Sequence, residues 1–392
     1  MVVGRIRTAL FTIILFAWGS VRCFSQDNLD LHALIPGEID SAQIFQSDSF
    51  YHWCPSAIRG EDGKYHLFYS RWPHGKHAPD DDSMNYIFNG FSGWLKYSEI
   101  AYAVSDHIGG PYHFVSTVLR GSGDKAVWDR FTMHNPQIRK FGRTYYLYYI
   151  SNSFDSNYLA PASGSAPAKK EGQQWLRYNC TQKIGVLKAA SIADLVAGKY
   201  EKPASPIMEP DNVHSFEVTN NPSVTEGPEG KYYMMYKSRK PHVGNMTLWM
   251  AVADKPDGVF KEVAEVFTTP EMACEDPCLW WDKKRKRFYA AVKYYSSSKL
   301  LAPQFGALAL IESSDGLHWG PAAHSLISLR EMKVKGQSRT DLAHLERPFI
   351  VLDNRGQPDA LFAAAAIHEP GKPEVVDATH NSFILCLKLK TK

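Results

Sequence analysis

His134-Asn135-Pro136-Gln137-Ile138, followed after a short turn by Thr144-Tyr145-Tyr146-Leu147-Tyr148-Tyr149, is the stretch that decides the fold. A polar pair and a proline lead into an apolar strand, and an aromatic strand comes back beside it. The same order occurs at His52-Trp53-Cys54-Pro55-Ser56-Ala57-Ile58 with Lys64–Tyr69, and at Asn220-Asn221-Pro222-Ser223-Val224 with Lys231–Tyr236. It occurs again at Glu275-Asp276-Pro277-Cys278-Leu279 with Arg287–Val292, and at Glu346-Arg347-Pro348-Phe349-Ile350 with Asp359–Ala363. One small sheet cannot bury both its faces, so a strand repeat recurring every roughly 50 to 90 residues implies a radial array.

A third strand follows in every repeat: Glu99–Val104, Lys183–Leu187, Leu248–Val252, Ala307–Ile311 and Ser382–Leu387. Polar turns after four of these lead to an outer strand, read at Phe114–Leu119 and Phe260–Val266. The expectation is an all-β, five-bladed β-propeller with four-stranded blades and a pocket on the central axis. The last repeat runs out after its third strand. A ring must close to leave no unpaired edge, so the stretch Glu38–Phe45 is expected to supply the missing strand.

Charge is nearly balanced, with 44 basic and 41 acidic side chains and no long basic run, which excludes a nucleic-acid footprint. Arg5 and Arg7 precede an apolar stretch, Ala9–Val21, that is short for a membrane span. Residues 1–25 therefore read as a signal peptide and 26–392 as a single propeller domain. The expected location is periplasmic or extracellular, with lipidation at Cys23 disfavoured by Arg22. Five cysteines remain after this segment. Cys274 and Cys278 lack two further ligands at zinc spacing and read as buried thiols. Two insertions, His74–Trp94 and Asp155–Tyr178, interrupt the rhythm; the first combines aromatics with acids and reads as a pocket wall.

First strands line the channel of a propeller, so the pre-proline pairs are expected to meet at one end of the axis. The set is His52, Trp53, His134, Asn135, Asn220, Asn221, Glu275, Asp276, Glu346 and Arg347. Cleavage of a glycosidic bond needs two positioned carboxyl groups. Glu275 and Glu346 are the candidates for acid and for base or nucleophile, with Asp276 in support and His134 as a substrate contact or proton donor. Trp53, Trp94 and Arg347 are candidate sugar contacts, with His52, Asn135, Asn220 and Asn221 as further polar contacts. No cofactor is required; a second reading places a divalent ion on the axis, held by His52, His134 and Glu275. Three further acids, Glu99, Asp129 and Glu217, read as structural.

At these residues the chain resembles the five-bladed β-propeller glycoside hydrolases of families 43, 62, 32, 68, 117 and 130. The resemblance runs from about Phe50 to Leu389 and rests on the five pre-proline pairs with their aromatic strands, and on the turn ending Gly109-Gly110-Pro111-Tyr112. It implies an axial pocket with acids from different blades. It also implies an Asp before the blade-one proline, where Cys54 stands, and a supporting Asp in blade two, where Asn135 stands. The Glu implied two residues before the blade-three proline is Asn220. Acids stand instead in blades four and five. The expected activity is an exported, exo-acting glycoside hydrolase on polysaccharide-derived oligosaccharides. The departures keep open a carbohydrate-binding propeller without catalysis, a lyase using His and Tyr, or a phosphorylase.

Overall fold

The computed structural model of the chain describes residues 27–75, 84–158, 170–240, 246–368 and 382–390. The expected signal segment and Asp80–Asp82 lie outside these. Each proline motif forms the innermost strand of a sheet, and the aromatic strand pairs beside it: Phe50–Arg59 with Tyr65–Pro73, His134–Phe141 with Thr144–Ser151, Phe216–Glu226 with Tyr232–Arg239, Cys274–Asp282 with Arg287–Tyr294, and Arg339–Leu352 with Pro358–Ile367. The five sheets are the blades of a five-bladed propeller.

Third strands follow at Glu99–Ser105, Lys183–Ala189, Met246–Ala253, Leu308–Ser313 and Ser382–Lys388. Outer strands are His113–Leu119 in blade one, Lys261–Glu265 in blade three and Gly320–Ser328 in blade four. Blade two differs: its sheet has three strands. The segment 201–208 takes the fourth position through two isolated antiparallel bridges, Lys188 with Glu201 and Ile184 with Met208. In blade five the outer strand is Ile44–Gln46, antiparallel to Ser382–Lys388; it closes the ring, but it shares only Ile44 and Phe45 with the expected stretch Glu38–Phe45, where Ser41–Gln43 form a helical turn instead.

The aromatic second strands are buried on both faces because neighbouring blades cover each of them. Phe68, Tyr148, Tyr149, Tyr236 and Phe362 have no exposed surface. Each such side chain contributes about 1.5–3 kcal/mol of burial free energy. Trp280, stacked on Tyr289 with centroids 5.6 Å apart, belongs to this packing. Four of the five cysteines among the described residues, Cys54, Cys274, Cys278 and Cys386, are buried free thiols.

A second repeat is written into the seams. The residue after each motif proline reaches the next blade: Ser56 Oγ accepts from Ile138 N (2.7 Å), Gln137 Oε1 from Val224 N (2.6 Å), Ser223 Oγ from Leu279 N (2.7 Å), and Cys278 Sγ from Ile350 N (3.2 Å). In blade five that position is Phe349, an apolar residue beneath the Arg139 guanidinium, 4.8 Å from its centroid.

The two insertions meet at one end of the propeller. Short helical turns run through Asn85–Phe88, Phe91–Gly93 and Trp94–Tyr97, and a helix spans Lys170–Asn179. Phe88 packs edge-on against Tyr178 with ring centroids 5.1 Å apart, so both insertions contribute to one wall. Among the described residues, no helix is long and apolar enough to cross a membrane.

Candidate functional site

Five β-bulges build the site. Opposite each motif, three steps along the first strand match two along the second: Trp53 to Ser56 against Ser70 to Phe68, and likewise at His134–Gln137, Asn220–Ser223, Glu275–Cys278 and Glu346–Phe349. A bulge leaves residues out of the ladder, and proline, with no N–H, fits there without losing a bond. The residue before each proline takes positive φ: Cys54 50°, Asn135 51°, Asn221 54°, Asp276 60° and Arg347 53°. Asn and Asp tolerate this region; Cys54 and Arg347 hold it at a strain of order 1–3 kcal/mol each.

The bulge sends the two members of each pair to different places. The five pre-proline side chains form a ring across the axis. Cys54 Sγ donates to Asn135 Oδ1 (2.9 Å), Asn135 Nδ2 to Asn221 Oδ1 (2.5 Å), and Asn221 Nδ2 to Asp276 Oδ1 (2.8 Å), while Arg347 Nη1 lies 2.8 Å from Asp276 Oδ1. The axial cavity lined by these residues and their prolines holds about 40 Å³, so the ring closes the channel. Burial pushes the Cys54 thiol up to about 12. Burial also raises Asp276, against the pull of Arg347, to about 6.

The preceding members, Trp53, His134, Asn220, Glu275 and Glu346, surround the axis beside the ring, with Glu275 and Glu346 partly exposed and the other three buried; this end of the axis is termed the bowl. His344, two residues before Glu346 and on the same face, joins them. Glu275 Oε1 lies 3.0 Å and Glu346 Oε1 2.5 Å from Lys293 Nζ. Lys237 Nζ donates to Glu275 Oε2 (2.5 Å), and His344 Nδ1 lies 3.0 Å from Glu346 Oε1. Burial alone would raise Glu275, but Lys237 and Lys293 outweigh it and hold the carboxyl down at about 2. The same contest, won by Lys293 and His344, keeps Glu346 well below the usual carboxylate range. Both carboxylates are therefore ionised, and their near oxygens share one ammonium.

Aromatic rings wall the bowl. Trp94 stacks on His134 at 4.9 Å, and Phe91 stacks on His344 at 5.9 Å and meets Trp53 edge-on at 5.0 Å. The pocket-wall reading of the first insertion holds for its described part. From the second insertion, Tyr158 OH donates to Glu217 Oε1 (2.6 Å) beside Arg239. Asn220 donates to Gln182 Oε1 (3.0 Å), while its own Oδ1 is buried without a hydrogen-bond partner.

Several expectations change. His52 does not reach the axis. Its ring lies between Phe45 (4.7 Å) and Tyr69 (4.7 Å) in the seam where the propeller closes, and burial lowers it to about 3. The blade-one pair matching the others is Trp53-Cys54, one residue later than the sequence reading set it. His134 is buried, with Nδ1 2.8 Å from Ser98 Oγ and Nε2 3.4 Å from Cys54 Sγ, so neither nitrogen is free to give a proton to a substrate. Hence His52, His134 and Glu275 do not converge on an axial ion. Arg347 and Asn135 belong to the ring across the axis, as do Asn221 and Asp276. Glu99 pairs with Arg71 and Arg120, and Asp129 accepts from Tyr149 and Lys202, both in structural networks.

Lys237, Lys293 and His344 were missed. Their only signal in the sequence is a lysine directly after an aromatic or apolar run of the second strand, at Tyr236-Lys237 and Val292-Lys293.

No family profile and no curated protein matches the sequence. Solved structures match in fold. A family 117 glycoside hydrolase of Zobellia galactanivorans superposes with TM-score 0.55 at 15% identity, covering 90% of this chain and 87% of that one. The catalytic domain of the Coprinopsis cinerea family 62 α-L-arabinofuranosidase gives 0.56 at 11%, covering 92% and 98%. An endo-arabinase of Bacteroides thetaiotaomicron gives 0.53 at 11%, covering 90% and 99%. The chain thus has the five-bladed β-propeller fold found in these glycoside hydrolases, over nearly its whole described length.

Proposed function

We propose that the protein is an exported glycoside hydrolase that removes sugars from the ends of polysaccharide-derived oligosaccharides, with Glu275 and Glu346 as its paired carboxylates. The observation that carries this is the shared ammonium. Two carboxylate oxygens on one Lys293 Nζ lie no more than about 5.5 Å apart, the separation of retaining glycosidases rather than the wider gap that leaves room for a water. Breaking the glycosidic bond requires a proton on the leaving oxygen and a carboxylate at the anomeric carbon. Glu346 is the nucleophile and Glu275 the acid in this reading. Glu275 takes its proton when the sugar displaces Lys237 and Lys293, because removing those cations lets burial raise its pKa. Phe91 and Trp94, both partly exposed, supply apolar faces for a sugar ring, whereas Trp53, expected as a sugar contact, is buried beneath Phe91 and His344. The wall to which both insertions contribute supports end-on action, and the Arg5–Val21 segment supports export.

A second reading, carbohydrate binding without cleavage, is favoured by the ion pairing itself, which leaves neither Glu275 nor Glu346 protonated in the free protein. A panel of plant and algal oligosaccharides, with products identified by mass, separates the two. Hydrolysis predicts shortened products that fall by at least about 10³-fold in rate in Glu346→Gln and Glu275→Gln. Full turnover in both variants would sink the assignment, and binding without any product would favour the second reading.

A further inference from the structure

The connector between blades two and three folds against the outer strand Lys261–Glu265. Asp211 opens a turn there. Its Oδ1 accepts from the backbone N–H groups of Val213 (2.8 Å), His214 (2.7 Å) and Ser215 (3.1 Å), and its Oδ2 lies 2.8 Å from His214 Nδ1. Glu262 Oε2 lies 3.5 Å from the same ring nitrogen, and the three groups' ligating atoms are all within 4.8 Å of one another.

Blade four provides a comparison inside the same molecule. Asp315 Oδ1 accepts from Leu317 N and His318 N, and Asp315 Oδ2 lies 2.8 Å from His318 Nδ1. The Asp-x-x-His turn thus recurs without a third group within reach, so the turn alone makes no site. What distinguishes blade three is Glu262. Its side chain is only 6% exposed; Tyr236 OH donates to Oε1, and Oε2 is buried with no hydrogen-bond partner. A buried carboxylate oxygen without a hydrogen bond costs about 1–3 kcal/mol, and the His214 Nδ1 that it faces at 3.5 Å is already engaged by Asp211 at 2.8 Å.

We propose that Asp211, His214 and Glu262 bind one divalent ion of the zinc class. One imidazole and two carboxylates are a familiar donor set for such ions. An ion roughly 2.0–2.2 Å from each donor sets tetrahedral donor–donor separations near 3.4 Å, and the observed 2.8 and 3.5 Å bracket that value. Asp211 and His214 are 42% and 58% exposed, so water completes the shell. Binding releases any proton from His214 Nδ1, which becomes the ligand. The ion ties the connector, whose earlier part fills the outer edge of blade two, to blade three.

The test uses the full chain without an affinity tag, stripped with a chelator and titrated with zinc chloride by calorimetry. One equivalent is expected to bind the native protein and raise its Tm. His214→Ala and Glu262→Gln bind at least about tenfold more weakly, and His318→Ala binds as the native protein does. Circular dichroism establishes that each variant is folded; Glu262→Gln retains an acceptor for Tyr236. Absence of zinc binding by the native chain, or undiminished binding by both blade-three variants, overturns the site. So does equal loss in His318→Ala.

Discussion

Lys293 shows how much one side chain sets at this site. It is 12% exposed and neutralises two carboxylates that would otherwise face each other. Its replacement by Met is expected to cost about 3–5 kcal/mol at neutral pH, because it strands buried charge. The pH dependence gives the sign. Glu275 and Glu346 titrate lower in the folded chain than their ordinary value of 4.5. Their contribution is therefore complete above 4.5 and is lost as pH falls toward about 2, the folded value of Glu275. In Lys293→Met the two carboxyls titrate higher, and protonation relieves their repulsion. Urea midpoints at pH 7 and pH 4 should show a wide gap between native and variant that narrows on acidification. A gap of equal size at both pH values would mean that Lys293 acts by packing rather than by charge.

At the scale of elements, the five bulges explain what could be read from the chain and what could not. The prolines announced the first strands, and the polar pairs announced the axis. The pairs were expected to meet as one set. A single extra residue in each first strand instead divides them, one member to the closed ring and the other to the open bowl. That division depends on φ at residues such as Cys54 and Arg347, which no local preference of Cys or Arg signals. Lys237 and Lys293 were hidden for a different reason: they become site residues only through cross-strand pairing with Asn220 and Glu275. The seam bonds form at the same bulges. Ser223 Oγ accepts from both Leu279 N (2.7 Å) and Gln137 Nε2 (2.6 Å). Ser223→Ala should lower the stability by about 1–3 kcal/mol by orphaning the buried Leu279 amide. Ser223→Cys should lose less, since the Cys278 thiol already accepts the Ile350 amide in the next seam. Denaturant titration ranks the three proteins, and equal loss in both variants would remove the hydrogen bond from the explanation.

For the whole molecule, stability depends on closing the circle. The strand Ile44–Gln46 makes the fifth blade complete, and Phe45 is its anchor, edge-on to Tyr69 at 5.2 Å. Phe45→Ala should cost about 3–5 kcal/mol and lower the Tm, with a shift from the native elution position toward aggregate on gel filtration as the edge of Ser382–Lys388 is exposed. A variant with unchanged Tm and elution would show that the ring is held by its other seams. The closing pair also carries a consequence for synthesis. The strand Ile44–Gln46 precedes its partner Ser382–Lys388 by all the strands of blades one to four, so no nascent chain can join them before those blades have been made. Until then the early strand has only transient company, and a chain interrupted in the fifth blade is left as an open arc with two sticky ends.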